Sequence, residues 1–280
     1  MQELLAQVHK VHRVILKEIQ RICEKHKIRY FIESGTLLGA VRHQAAIPWD
    51  DDADCAMLRK DYERFRKIVR QELSDQFLYV EPKDLGGQAI FDFIPRVLYK
   101  NSRIHQDSPA EQYYGGGLCN HIGVDIFIID DVHDNRWVHY ITRGMLTFVY
   151  GLSMGHRYQL SMAEYKGISR LAVTVLARVG TWIPTKVILS WYDRISRLGR
   201  GKNSKKGRCY YSNFPIQDVR LIYQKKWFHK LTLLPLNEER FWAPADWEQV
   251  LTTIYGEYMQ LPPLSERVIA HCQMEHVKIW

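Results

Sequence analysis

Residues 47–57 read IPWDDDADCAM. Four aspartates, Asp50, Asp51, Asp52 and Asp54, stand between two apolar patches. Like charges at that density repel one another and are costly to bury unless a cation shares the site. Pro48 disfavours helical geometry at Ile47, so a helix arriving from upstream must stop there. DDADCAML then reads as a strand. Side chains alternate along a strand, so Asp52 and Asp54 share one face while Ala53 and Cys55 point into the core. Asp50 joins them if the strand starts early. Two carboxylates ~7 Å apart on one face suit a hard divalent cation, Mg²⁺ or Mn²⁺, which takes its other ligands from water and phosphate.

Three other readings compete on this stretch alone. A solvated acidic loop could cap the helix expected over 61–73. A calcium loop would use Asp50, Asp52 and Asp54 as its first, third and fifth positions. It lacks the glycine of the sixth, where Cys55 stands, and has Asp61 instead of glutamate at the twelfth. A phospho-aspartate nucleophile lacks any companion motif nearby.

Upstream, Leu4, Val8, Val11, Ile15, Ile19 and Ile22 step by three and four, the stripe of an amphipathic helix ending near His26. IRYFIES follows as a buried strand, and GTLLGAVR as a glycine-punctuated turn into a short helix. Downstream, KDYERFRKIVRQEL is helical, while AIFDFIPRVLYK and GVDIFIID read as strands around a loop, YYGGGLCNHI. The glycines at 115–117 make that loop flexible first and a phosphate cradle second. Asp125 opens a buried strand behind Val124, where a carboxylate is uncommon without a partner. Asp130 and Asp131 read as loop residues. Residues 137–198 are mostly helical with a break at Pro184, and WFHKLTLLPLNEERFWAPADWEQVLTTIYGEYM (227–259) reads as a hairpin-like pair followed by a helix ending near Gly256. The pattern predicts an α/β fold in the first half and a mainly helical C-terminal part. The expected division is a catalytic core over 1–135 and a helical region with a C-terminal subdomain over 136–280, packed as one continuous unit.

With 46% hydrophobic residues the chain can build a sizeable core, so wholesale disorder is excluded. Lysine and arginine exceed aspartate and glutamate by 39 to 31, which favours anionic partners. Seven of those cations fall within 194–208, read as an exposed basic loop that contacts an anionic glycan or a membrane surface. No nucleic-acid module is recognisable, so nucleic acid is not an expected partner. Five scattered cysteines without a CxxC point to a reducing compartment. HCQMEH at 271–276 lacks a second ligand pair for zinc. The N-terminus opens directly into the helical stripe, without a signal-peptide pattern, and the longest apolar run falls short of the ~20 residues of a span. A cytoplasmic protein is expected, with peripheral contact at the inner face of the membrane.

Over residues 33–65, SGTLLGAVRHQAAIPWDDDADCAMLRKDYERF resembles the LicD family, whose members carry a GTLLGAVR stretch, an IPWDDD-x-D stretch and a DYERF-like helix. GVDIFIIDD and WAPADWEQVLTTIYGEYMQLPP resemble further family segments, extending the resemblance to about 33–263. It departs at Ile128, where many members have proline, and at Glu257, where aspartate is usual after Tyr-Gly. Fifteen residues separate Thr36 from Asp52, a little more than the usual gap.

The resemblance implies a nucleotidyltransferase-like mixed sheet flanked by helices, with Gly35-Thr36 as the phosphate-approaching turn and Asp52-Ala53-Asp54 as the metal pair. Asp125 would be the third carboxylate, either a metal ligand or the base for an acceptor hydroxyl. Arg42 and Arg96 would meet phosphate. It further implies metal-dependent transfer of a phospho-alcohol group from a CDP-activated donor, CDP-choline first. The acceptor would be an anionic or lipid-linked cell-surface glycan of the lipopolysaccharide or teichoic acid type. Polyol-phosphate transfer, as in the related fukutin group, is the near alternative. A true nucleotidyltransferase and a non-enzymatic nucleic-acid-binding protein are the distant ones. His43 and His121 read as structural or solvated.

Overall fold

The structure is a computed structural model that describes residues 2–85, 92–107, 117–157, 160, 162, 165–200, 204–270 and 272–280. Helix α1 (Gln2–Lys25) turns its apolar stripe inward, with Val8, Val11, Ile15, Ile19 and Ile22 all buried. Strand β1 (Phe31–Ile32) leads into α2 (Ser34–Arg42), then β2 (Asp54–Leu58) and α3 (Arg59–Glu72). Strands β3 (Phe77–Val80), β4 (Arg96–Tyr99), β5 (Ser102–Arg103) and β6 (Gly123–Asp131) follow.

Helices α4 (Arg136–Ser153), α5 (Gly167–Gly180) and α6 (Thr185–Ser196) fill the next stretch, and Pro184 separates the last two. Strands return with β7 (Arg208–Tyr211), β8 (Tyr223–Gln224), β9 (Leu231–Leu236) and β10 (Glu239–Pro244). Helix α7 (Trp247–Tyr255) ends at Gly256, whose φ of 65° ends the helix in a conformation that glycine tolerates. Strand β11 (Lys278–Ile279) closes the chain.

The main sheet runs β1-β2-β6-β4-β3, with β7 on β6 and β8 on β7. Strand β6 is its centre. It pairs in parallel with β2 on one side; on the other it pairs antiparallel with β4 at its start and with β7 at its end. Strands β9 and β10 form a separate hairpin, and β11 pairs with β5. The second half of the chain therefore contributes strands to the same sheet and residues to the same core. A second apolar cluster ties α4 and α6 to the sheet through Leu146, Ile188, Tyr192 and Phe93, whose ring stacks on Tyr192 at 3.8 Å.

Several expectations need correction. Asp52 precedes the strand, which begins at Asp54. Gly35 and Thr36 lie inside the first turn of α2, not in a turn ahead of it. Asp130 and Asp131 are in β6, paired with Arg59 and Lys225, because the strand runs on to meet β7. The 194–208 run is not one exposed loop. Arg194 belongs to α6, Arg197 pairs with Glu63 and Asp193, and Arg208 starts β7. Residues 201–203, the glycines at 115 and 116, and His271 lie outside the described residues.

Candidate active site

The acidic loop is shaped by two glycines of α2. A side chain at Gly35 would strike the Asp50 carboxylate at 2.5 Å, and one at Gly39 would strike the Ala45 carbonyl at 2.6 Å. Their bare Cα atoms let 45–50 fold back along the helix. Thr36 then fixes where the strand begins, since its hydroxyl accepts the Asp54 N–H at 2.8 Å. The Glu33 N–H donates to the Asp54 carbonyl at 3.1 Å, so both sides of Asp54's backbone are held.

Sheet register does the rest. Asp125 lies opposite Asp54 on parallel β2 and opposite Arg96 on antiparallel β4. The three form one row across three neighbouring strands. Arg96 Nε donates to Asp125 Oδ1 at 2.7 Å, and Nη2 to Asp125 Oδ2 at 3.1 Å. The same guanidinium grips Asp92 at 2.5 Å and 3.0 Å. Asp52, Asp54, Asp92, Arg96 and Asp125 line one cavity of about 730 Å³, which Phe93, Tyr150, Phe214 and Arg157 continue on the apolar side. Asp50 and Asp52 border a small void of about 20 Å³ beside Gly35 and Thr36.

The electrostatics are those of an under-compensated acid cluster. Burial, then the Asp52 charge, pushes the Asp50 carboxyl up to about 8. Asp54 is held well above the usual carboxylate range by burial and by Asp52 and Asp125. Burial lifts Asp125 to about 6, against the pull of Arg96. Burial works against the Arg96 charge too, but Asp125 and Asp92 raise it overall. His12 lines the cavity as a neutral ring, its pKa brought down to about 3 by burial. Three carboxyls that share a site and resist ionising are the kind of cluster that a bound cation would relieve. All the donors are carboxylate oxygens, the ligand type best suited to a hard cation. Among the described residues, no three His, Cys, Asp or Glu side chains enclose a metal by themselves.

Asp51 also borders the cavity, but its carboxylate accepts the amides of Ala270 at 3.3 Å and Cys272 at 2.5 Å, which straps the C-terminal segment over the acidic loop. Not every expected residue joins the site. Arg42 is not among the side chains of the acid cavity. Its guanidinium donates to the carbonyls of Tyr258 at 2.9 Å and Gln260 at 3.5 Å, because α2 ends beside that segment. Arg96 reaches the site, where its guanidinium bonds both Asp125 and Asp92. Thr36 likewise holds Asp54's backbone. His43 packs edge-on against Trp49, and His121 bonds the Ser102 carbonyl at 2.7 Å while lining the cavity wall.

Three residues escaped the sequence reading. Glu33 is fully buried next to Ser34, whose φ is 49°. Burial raises the Glu33 carboxyl to about 7, with the Tyr211 hydroxyl and Ser34 amide opposing. A glutamate directly after FI was the available signal. Asp92 was legible only as an i, i+4 partner of Arg96. Arg157 donates to the Tyr150 hydroxyl at 2.6 Å and keeps a buried, unpartnered Nε beside the cavity. Nothing in its local sequence marks it.

Residues 27–107 match the family model described as LicD/FKTN/FKRP, nucleotidyltransferase domain. Over 94% of both chains, the protein is 24% identical to lipopolysaccharide cholinephosphotransferase LicD of Haemophilus influenzae. A segment covering 31% of this chain is 36% identical to ribitol 5-phosphate transferase FKRP of Mus musculus, where it spans 17% of that protein. An uncharacterised protein of Rickettsia prowazekii is 46% identical over 36% of this chain and 41% of its own.

Proposed function

We propose that this chain, whose residues 27–107 match the LicD family model, acts as a LicD-type transferase that moves a phospho-alcohol group from a CDP-activated donor to a hydroxyl of a glycan. Phosphocholine from CDP-choline is the first candidate, because the relative matched along nearly its whole length is a lipopolysaccharide cholinephosphotransferase. Ribitol or another polyol phosphate is the second, favoured by the similarity to ribitol 5-phosphate transferase. The observation that carries the reading is the row Asp54–Asp125–Arg96 with Asp52 on the same cavity.

In the reaction, the acceptor oxygen attacks the phosphorus that bears the alcohol. The bond from that phosphorus to CMP's oxygen breaks, a phosphodiester forms and CMP leaves. Asp125, with a pKa near 6, is tuned to take the hydroxyl proton, and Arg96 fixes its orientation. Asp52 and Asp54, with Asp50 behind them, would hold Mg²⁺ or Mn²⁺. Such an ion supplies neutralising charge to the pyrophosphate. Arg157, with its unpartnered Nε, meets the donor phosphates. A CDP-linked donor implies work on the cytoplasmic side, with an anionic or lipid-linked glycan as acceptor.

The test is incubation of the purified chain with CDP-choline or CDP-ribitol, each with and without Mg²⁺ or Mn²⁺, and a lipopolysaccharide acceptor. CMP release matched by a new phosphodiester in ³¹P NMR is expected. Pyrophosphate release from CTP instead would replace this reading with nucleotidyl transfer.

A further inference from the structure

Helix α4 is amphipathic in the wrong sense for a helix on a water-facing surface. Its inward face carries His139, Thr142, Leu146 and Val149. Its outward face, stepping by three and four, carries Trp137, Tyr140, Ile141, Met145 and Phe148, all exposed. Helix α5 is more extreme. Only Ala177 and Gly180 of its fourteen residues are buried, while Ile168, Leu171, Val175 and Val179 face outward. A helix apolar around most of its surface is ordinarily enclosed. At the tip between α5 and α6, Trp182 is 85% exposed. A surface that exposes so many apolar side chains from two packed helices marks an interaction site.

That surface is held firmly. A Cβ on Gly180 would lie 1.8 Å from the Leu152 carbonyl oxygen, and one on Gly155 2.1 Å from that of Ala177. The backbones of α5 and the end of α4 therefore touch, and α5 presents its outer face in a fixed place.

What covers it is indicated by its charge. A cavity of about 530 Å³ at the start of α4 is lined by Arg136, Arg143, Lys206, Arg208 and Arg220. The acid in its lining, Asp134, is occupied by the amides of Lys205 and Lys206 at 2.6 Å and 3.0 Å. Arg136 also lies 5.9 Å from the Trp137 ring and 5.8 Å from the Tyr140 ring. Exposed aromatics beside a nest of cations suit the boundary where lipid phosphates meet acyl chains. A second copy of the chain would bring like charges together. Among the described residues, no single helix is long and apolar enough to cross a membrane. Helices α5 and α6 pass by length and composition only as a pair bent by 119°. In α6, Ile188, Tyr192 and Ile195 are already spent on the protein's own core. Helix α6 is thus committed to the fold, which argues against a spanning α5–α6 pair.

We propose that α4, α5 and the Trp182 turn seat the protein on an anionic phospholipid bilayer. The apolar side chains enter the acyl boundary, and the five-cation cavity takes lipid phosphate groups at the rim. This stands whichever group the acid site transfers. It differs from attachment through the 194–208 run alone, which salt would abolish.

The experiment is flotation of the full chain with vesicles of phosphatidylcholine alone or mixed with phosphatidylglycerol, at low and high NaCl. Binding to the mixed vesicles that largely survives high salt is expected. The triple variant Trp137→Glu, Phe148→Glu, Trp182→Glu should lose binding by roughly tenfold or more, with an unchanged melting temperature. Arg143→Gln with Lys206→Gln and Arg220→Gln should erase the preference for phosphatidylglycerol and leave residual binding. Binding untouched by the glutamate variant overturns the proposal. So does a dimer in sedimentation velocity without vesicle binding, which would make this face an interface between copies.

Discussion

The two ends of β6 each carry a buried or half-buried aspartate, and the fold treats them in opposite ways. Asp130 has a fully buried side chain gripped by Arg59, whose Nε donates to both of its oxygens at 3.0 Å and 3.1 Å. Arg59 is in turn held by Asp193 at 3.1 Å and by the hydroxyls of Ser196 and Ser212. Every charge there has an answer. At the other end, Asp125 shares its single arginine with Asp92 and faces Asp54, with Asp52 and Asp50 beyond. Within one strand, fully compensated charge marks scaffold, and under-compensated charge marks the end where we propose the reaction takes place. The second arrangement costs stability and is tolerable only where something positive arrives.

The widest test of that contrast is to remove charge at the reacting end. Asp52→Asn and Asp54→Asn should each lower turnover on the order of a thousandfold, about 4 kcal/mol of barrier. The melting temperature of the metal-free protein should hold or rise, because each change relieves repulsion. A variant that keeps activity would dissolve the assignment. One that unfolds would make this end scaffold as well.

The opposite outcome is expected at Asp130. Asp130→Ala leaves Arg59 buried with its main partner gone, and breaking such a pair costs about 3–5 kcal/mol. The urea midpoint should drop accordingly, while the turnover of the molecules still folded stays near that of the wild type. If stability barely moves, the two ends of β6 are not the opposites described here.

How much of this contrast was readable in the sequence depends on sequence separation. Asp52 and Asp54 stand out because four aspartates crowd into five residues beside IPW, and the α1 stripe and the Gly256 helix stop are local patterns too. Asp125 was legible as a carboxylate opening an apolar strand. The row it makes with Asp54 and Arg96 depends on the pairing of three strands, which no local pattern states. Asp130 was misread for the same reason, since the partner that lets a charge sit inside a strand comes from α3, 71 residues away. Arg42 looked free because the Tyr258 and Gln260 carbonyls that hold it are more than 200 residues distant. The outward apolar face of α4 is written in its periodicity, but periodicity cannot say which face the fold will cover.

Glu33 sharpens the comparison through pH. It is fully buried, and its pKa is raised from 4.5 to about 7, chiefly by burial. The unfolded chain releases this proton near 4.5 and the folded one only near 7. Between those values each rise in pH favours the unfolded state, and above 7 the penalty is constant. The shift corresponds to about 3 kcal/mol. In chelator, Glu33→Gln should therefore match the wild type near pH 4 and exceed its stability by about that amount above pH 7. A gap that does not change with pH would mean that Glu33 is compensated like Asp130.

The smallest effect is expected at Thr36, which bears no charge yet joins the two halves of the contrast. Its hydroxyl accepts the Asp54 N–H at 2.8 Å, a buried contact between the first turn of α2 and the first residue of β2. Thr36→Val preserves volume and branching but leaves that N–H without its acceptor, which costs about 1–2 kcal/mol. A purely structural residue would show this loss and no more. If the contact also sets where the Asp54 carboxylate stands, turnover per folded molecule should fall by roughly tenfold, a scale typical of groups that orient a ligand without touching the metal. Thr36→Ser should restore both, since it returns the oxygen without the methyl group. Restored stability with turnover still lost would move the role from the hydroxyl to the packing of α2 on β2, and the acid loop's register would then be set by Gly35 and Gly39 alone.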